Sequence, residues 1–337
     1  MNSRAGAALP MALFTIALVG ALAAAALTVS RLRWLGGSRA LLSASARLGA
    51  EASVDHAARR WDPFLAESLP VGGMVTGAVA GWGATDSLLR LDERLFLVSS
   101  VGERRTSDGY LLARHVAREL VELSTPALTA DAAVTTHGPV VVDPGAQVAG
   151  EDIVPAEWEG RCPTPDSVDL PVRYDTLSGF DRLRPVGAED LLRWADRTVA
   201  GAVGGLGPAL DPDGGCDRTD SLNWGDPGVP AGPCGPWSPI VAAESGTRLN
   251  SGSAQGLIVA PHGLELSGTA RFYGVILTSG PLILLGQAAV IGAVYSDSGV
   301  TLRDQTSIQR STCVARSVIA RSARPFRRVP RGDLAGQ

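Results

Sequence analysis

Four histidines and one run of aspartates are the residues whose types could hold a metal or move a proton. His137 and His262 each precede a glycine, Gly138 and Gly263, in two segments that match one another, while His56 and His115 stand elsewhere. Stacked imidazoles at one repeat position would offer two ligands to a metal. No carboxylate shares the position, and turn residues facing solvent are the plainer reading. The stretch "DPDGGCDRTD" sets Asp211, Asp213, Asp217 and Asp220 within ten residues. Oxygen ligands so spaced can hold Ca²⁺, but the regular EF-hand order and its closing glutamate are missing, and an acidic turn is the alternative. Among the repeated strands the acids that stand out are Glu265 and Asp304, whereas β-helical carbohydrate enzymes gather charged clusters on one face of many coils. No G-x-S-x-G, H-E-x-x-H or phosphate-binding loop occurs. The expectation is a protein with no catalytic residues, no cofactor and no metal, hence not an enzyme.

The cysteines are Cys162, Cys216, Cys234 and Cys313, and none forms a C-x-x-C pair. An even, dispersed set behind an apolar N-terminus points to disulfides in an oxidising compartment, with free buried thiols as the alternative. Cys216 and Cys234 flank "DRTDSLNWGDPGVPAGP", a local loop that a disulfide would pin, which would leave Cys162 for Cys313. Four cysteines allow three connectivities, so the pairing stays open.

The elements that must carry these residues begin with an uncharged stretch. No charge falls between Arg4 and Arg31, and Leu9–Val29 spans 21 residues, about 31 Å as a helix, enough to cross a bilayer core. Secretory signals have shorter apolar cores, although Ala21-Leu22-Ala23 would serve ordinary signal cleavage. Arg31, Arg33 and Arg39 follow the span and only Arg4 precedes it. Charge bias alone therefore favours a cytoplasmic C-terminal side, against the cysteine argument. Net charge is −4 across 337 residues and all basic residues are arginine, which gives no case for nucleic acid as a partner.

The order of features has a further reading. A short basic leader ends at Gly6, and the apolar stretch "AALPMALF" begins at once with Ala7. This resembles a prepilin leader, which a dedicated prepilin peptidase cuts after the glycine. The resemblance implies cleavage between Gly6 and Ala7, with the apolar helix kept on the mature protein. Most pilins have a glutamate at the fifth mature position, and Met11 stands there. The form "GAALPMAL" is more similar to PilX-type minor pilins, which often lack that glutamate. Pro10 sits near the helix start, where its missing N–H costs little. In the distal half, "LNWGDP", a cysteine, "SPIV" and "SGSAQGLIVAPHGLELSGTARFYGVIL" look like the C-terminal region of predicted PilX-type proteins of high-GC Gram-negative bacteria, where such a motif leads into solenoid-like strands.

After the span, Leu41, Ala44, Leu48 and Ala52 recur at three- and four-residue steps, so the helix is expected to continue, with a break or hinge at Gly36-Gly37. Ser87–Leu91 and Arg94–Val101 flank Asp92-Glu93 as a hairpin, and Asp108-Gly109 marks a second turn. Tyr110–Leu123 suits either a helix or a further strand of the meander.

The clearest pattern outside the apolar helix is repetition. Four segments align: "AVTTHGPVVVDPGAQVAG", "LIVAPHGLELSGTARFYG", "VILTSGPLILLGQAAVIG" and "VYSDSGVTLRDQTSIQRS". Each has short strands broken by turns, with Gly138, Gly263, Gly280 and Gly299 at the matching corner. Stacked coils of a β-solenoid fit this step, with Val140, Val142, Leu264, Leu266, Leu282, Leu284, Val300 and Leu302 pointing to a core. A β-sandwich is the alternative.

The expected class is α+β, mostly β: a long N-terminal transmembrane helix, antiparallel strands, and a short right-handed β-solenoid with a loop-rich insertion. The expected divisions are a leader (1–6), a transmembrane or assembly helix (7–30), its continuation (31–60) and pilin-like antiparallel strands (61–125). A first coil (126–150), a disulfide-pinned insertion (151–250), the remaining coils (251–312) and a basic tail (313–337) follow. The insertion is expected to hold one helix, in "GAEDLLRWADRTVAG". The tail, with Arg316, Arg321, Arg324, Arg327, Arg328 and Arg331, is expected to be solvated or capping.

The resemblance implies a structural minor pilin or pseudopilin of a type IV pilus or related secretion filament. Its partners would be other pilin-like subunits met through the N-terminal helix, the inner membrane and the prepilin peptidase. It would be a single-pass inner-membrane protein with a periplasmic C-terminal region, ready for incorporation into an extracellular filament. Two other classes stand beside it: a membrane-anchored, bactofilin-like solenoid scaffold, and a secreted β-helical binding protein or enzyme.

Overall fold

The computed structural model of the chain describes residues 8–59, 61, 69–79, 84–176 and 186–328. The expected leader and the cleavage pair Gly6 and Ala7 lie outside the described residues, as does Arg331. Two units emerge, divided near residue 121.

The first unit is built on helix α1, Ala8–Arg59, 52 residues long and so roughly 78 Å from end to end. It runs through Gly36 and Gly37 without interruption, which corrects the expected hinge. Two glycines cost about 1 kcal/mol each against alanine, and the good helix formers on both sides outweigh them. Its N-terminal part is long and apolar enough to cross a membrane, and none of that apolar stretch is buried.

Strands β1 (Met74–Val79), β2 (Ala84–Arg90), β3 (Leu95–Arg105) and β4 (Leu111–Ser124) follow in that order across a sheet. β1 with β2, and β2 with β3, run antiparallel. Tyr110–Leu123, ambiguous in sequence, is thus mainly strand. β3 alternates strictly, with Phe96, Val98, Ser100 and Gly102 buried.

The C-terminal part of α1 lies on β3 and β2 through small residues: Ala46, Gly49, Ala50, Ser53 and Val54 are buried. The leucines that mark the sequence periodicity, Leu41 and Leu48, stay exposed at 73% and 64%. Small residues win this face because the backbones approach closely. A Cβ on Gly102 would lie 2.2 Å from the carbonyl oxygen of Ala46. Polar bonds fix the register along the helix: Ser53 Oγ donates to Asp86 at 2.6 Å, and Arg104 Nε donates to Ser45 Oγ at 2.8 Å.

The second unit is mostly parallel strand. β5 (Val134–Thr136), β6 (Val140–Val142) and β7 (Gln147–Ala149) come first, then β8 (Val172–Tyr174). Helix α2 (Ala188–Arg193) leads to β9 (Arg197–Val199), β10 (Ala202–Val203), β11 (Ile240–Ala243) and β12 (Arg248–Leu249). Then come β13 (Ser253–Ala260), β14 (Leu264–Leu266), β15 (Arg271–Thr278), β16 (Leu282–Leu284), β17 (Ala289–Ser296), β18 (Val300–Leu302) and β19 (Ser307–Arg310). Helix α3 (Thr312–Arg321) and strand β20 (Arg324–Arg328) close the described chain.

Two parallel sheets result. One runs β10-β12-β14-β16-β18-β6, the other β9-β11-β13-β15-β17-β19-β7, with β5 on the C-terminal half of β17 and β8 beyond it. From β13 to β19 in one sheet and from β14 to β18 in the other, partners such as Arg271 with Ala289 and Leu282 with Val300 are one repeat, 18 positions, apart; the steps from β11 and β12 are 17. Leu264, Leu266, Leu282, Leu284, Val300 and Leu302 join Ile258, Ile276 and Val294 in a single buried cluster. The other face of the longer sheet is buried too. Val259, Val275 and Leu277 meet Leu191 of α2 and Ala315, Val318 and Ile319 of α3.

The stacking order differs from the order of the repeats in the chain. β6 pairs with β18, the last repeat, and not with the strands that follow it in sequence. The chain starts at one end of the ladder, moves to the far end at β9 and β10, and returns strand by strand to its starting point. Residues 151–250 are therefore more than a loop-rich insertion, since they supply β8 to β12 and α2. Apolar pairs such as Ile240-Val241 extend the same ladder there. The helix expected in "GAEDLLRWADRTVAG" ends early, at Arg193, and the chain turns into β9. Residues 313–337 likewise are not a solvated tail at their start. Cys313, Val314, Ala315, Val318 and Ile319 are buried because α3 covers the sheet with its apolar face.

Candidate functional site

Two regions carry what the sequence singled out: the exposed span of α1 and the corners and loops of the parallel ladder. In the span, Phe14, Ile16, Val19 and Leu22 are each more than 60% exposed. Its hydroxyls turn inward on the helix. Thr15 Oγ1 donates to the carbonyls of Met11 and Ala12, and Thr28 Oγ1 to that of Ala24 at 2.8 Å. Such back-bonding satisfies the polar groups without water, as an apolar surrounding requires. Nothing lies within 4 Å of where a Cβ on Gly20 would stand, so the helix is open to close approach there.

The corner glycines form one column. A Cβ on Gly280 would meet the backbone of His262 at 2.3 Å, and one on Gly263 would meet Pro281 at 2.7 Å. Gly299 faces Pro139 at 2.5 Å and Gly138 faces Ser298 at 2.3 Å. The order along the column is Gly263, Gly280, Gly299, Gly138. His137 and His262 are consequently at opposite ends of it, with two repeats between them. The stacking that a two-histidine site would need is ruled out by the pairing of β6 with β18. Among the described residues no group of three histidines, cysteines or acids could hold a metal ion.

The acidic loop is spent on its own turns. Asp211 Oδ1 accepts from the backbone of Asp213 and Gly215, Asp217 from Thr219, and Asp220 from Leu222. The Thr219 hydroxyl and N–H hold the Asp217 carboxyl below its usual range. Glu265 forms an ion pair with Arg248 at 2.6 Å, and Asp304 accepts from Gly286 N at 2.8 Å. These carboxylates are structural partners and do not form a facing pair.

Of the three connectivities open to the cysteines, the structure has Cys216 beside Cys234 and Cys162 beside Cys313, with Cα separations of 4.9 and 5.5 Å. The first pair closes the loop around buried Asn223 and Trp224. The second ties the segment after Trp158 to α3.

Sequence reasoning missed Arg310. It is 2% exposed and donates to the carbonyls of Ala130, Gly150 and Val168 and to both oxygens of Asp166. Its guanidinium, hydrogen-bonded to Asp166, holds that carboxyl below the usual range, with Arg316 adding to the effect. The available signal was an arginine in register with glycines of earlier repeats. A cluster of three other arginines was also missed, since two of them belonged to the supposed tail.

Comparisons with protein-family models, with curated proteins and with solved structures give no match.

Proposed function

We propose that this chain is a single-pass, pilin-like envelope protein: a minor pilin or pseudopilin of a type IV pilus or related secretion filament, structural and not catalytic. The observation that carries this reading is α1 itself. One continuous helix has an uncharged, fully exposed N-terminal part and a C-terminal part docked by small residues on a sheet of short-turned strands. In lipid the exposed part would anchor the protein, and in a filament it would exchange lipid for the helices of neighbouring subunits, with Gly20 and Ala24 allowing close approach. Met11 in place of the usual glutamate suits a minor component, because a neighbour's N-terminal amine would find no carboxylate. The disulfide-paired cysteines suit a periplasmic location for the second unit.

In this reading the two parallel ladders are the walls of a short right-handed β-solenoid. The step of 18 residues shared by β13 to β19 in one ladder and β14 to β18 in the other supports it. A second reading, a membrane-anchored scaffold that associates coil to coil, draws on one observation. β6 is the edge strand of its sheet, and its Val141 and Val142 are 46% and 44% exposed.

The deciding measurement is the mature N-terminus, by mass spectrometry of protein from native membrane. A start at Ala7 is expected. An intact Met1 would turn the reading to the scaffold, and a start near Ala24 would sink both in favour of a secreted protein. Deleting residues 7–29 should abolish assembly of a pilin and leave that of a scaffold.

A further inference from the structure

A cavity of about 500 Å³ lies between α3 and the segment that follows the Ala156–Trp158 turn. Its wall holds three guanidinium groups, Arg161, Arg316 and Arg321, together with Trp158, Pro163 and Cys313, and no carboxylate. Three like charges around one space repel, and a chain of net charge −4 has no general excess of cations to explain the gathering.

The arrangement is held in place. Cys313, bonded to Cys162, ties the two sides of the cavity together. Arg161 Nη1 donates to the Pro230 carbonyl at 2.8 Å, and Arg321 Nη1 to that of Gly235 at 3.2 Å. Both guanidinium groups are thereby oriented, and Arg161 uses only one of its five N–H donors in this bond. Arg316 is exposed and makes no hydrogen bond or ion pair with any described residue. Its field reaches Asp166, which is already bound to Arg310. Trp158 is buried, and its Nε1 is used by the carbonyl of Pro227 at 3.1 Å. What remains of the indole, with Pro163 and the disulfide, is an apolar wall beside the cations.

We propose that this cavity binds an organic anion: a phosphate or carboxylate group carried on a ring-shaped or apolar body. Guanidinium forks match the paired oxygens of either group. The ring fills the apolar side, against Pro163 and the Cys162–Cys313 bridge at the edge of the buried Trp158. All the lining residues belong to the second unit.

The test is titration calorimetry on the full chain in detergent, with phenyl phosphate, phenylacetate and inorganic phosphate as probes. At least one ring-bearing anion should bind at submillimolar Kd, at least ten-fold more tightly than inorganic phosphate. Tighter binding of phenyl phosphate assigns a phosphate, and tighter binding of phenylacetate a carboxylate. Arg316→Gln, on an exposed position, should weaken binding at least ten-fold with the ligand-free Tm unchanged, and Arg161→Gln provides a second variant at the opposite wall. The proposal is overturned if neither ring-bearing anion binds, if inorganic phosphate binds as well as they do, or if both variants bind like the parent.

Discussion

Arg310 stands in register with Gly292, at the position that Gly256, Gly274 and Gly292 hold in three successive strands. At the glycines the neighbouring backbone leaves no room for a side chain. At Arg310, on the last full strand before the first repeat closes the stack, the side chain extends to the carbonyls of Ala130, Gly150 and Val168. The same column thus changes from close approach to a polar latch where the chain's two ends of the ladder meet.

Arg310→Ala should therefore cost about 3 kcal/mol, since several charge-assisted bonds and the volume of a buried side chain go together. Urea unfolding of the full chain would measure it. A loss below about 1 kcal/mol would mean that the latch is dispensable.

The partner, Asp166, sets a pH dependence. Its folded-state carboxyl is held below the ordinary 3.8 by the Arg310 hydrogen bond. A lowered folded value means stability that is present above the unfolded value and lost as pH falls through the folded one. Asp217, held down by Thr219, acts in the same direction. Asp166→Asn should be less stable than the parent at neutral pH, and the gap should close below pH 3.8. Unfolding midpoints from pH 2 to 7 would check this, and a gap that persists unchanged in acid would refute the assignment.

Gly274 has φ 153°, and a Cβ there would lie 2.0 Å from the carbonyl oxygen of Gly256. Gly274→Ala combines backbone strain with overpacking in the middle of the ladder, together about 4 kcal/mol. Thermal unfolding should show a loss well beyond that of Gly246→Ala, which shares a positive φ but has nothing within 4 Å of the added carbon.

Gly102→Ala should loosen α1 from its sheet, because the added methyl meets the Ala46 carbonyl. The expected cost is about 2 kcal/mol. Hydrogen exchange should rise in residues 46–58 of α1 and in β3, with the second unit's protection unchanged. Equal exchange in parent and variant would show that the helix already yields.

Each disulfide restrains the unfolded chain. By loop-closure entropy the Cys216–Cys234 bond, at a separation of 18, stabilises by about 3 kcal/mol. The Cys162–Cys313 bond, at 151, contributes about 5 kcal/mol. The paired serine variants should lower Tm in that order, and non-reducing peptide maps should contain these two cross-linked peptides. A Cys162–Cys216 peptide would contradict the structure.

By itself the sequence determined the apolar helix, the β-rich distal half and the positions of the corner glycines. These are local properties: a charge-free run of leucine and alanine, strand-length apolar alternation, and turns that need glycine. The inward positions Leu264, Leu266, Leu282, Leu284, Val300 and Leu302 were legible for the same reason, since alternation along a strand sets which side is buried; Val140 is only half-buried and Val142, also expected in the core, is 44% exposed, because β6 is the edge strand. The tertiary structure alone decided which strands are neighbours. Four matching repeats carry no mark of stacking order, so nothing in them told that β6 closes on β18 and separates His137 from His262. Only packing showed that α1 docks through alanine, glycine and serine, because close backbone approach excludes the larger leucines that dominate the periodicity. The arginines of the cavity were likewise invisible as a group. Arg161 is far from Arg316 and Arg321 in the chain, and the Cys162–Cys313 bond brings their two segments together.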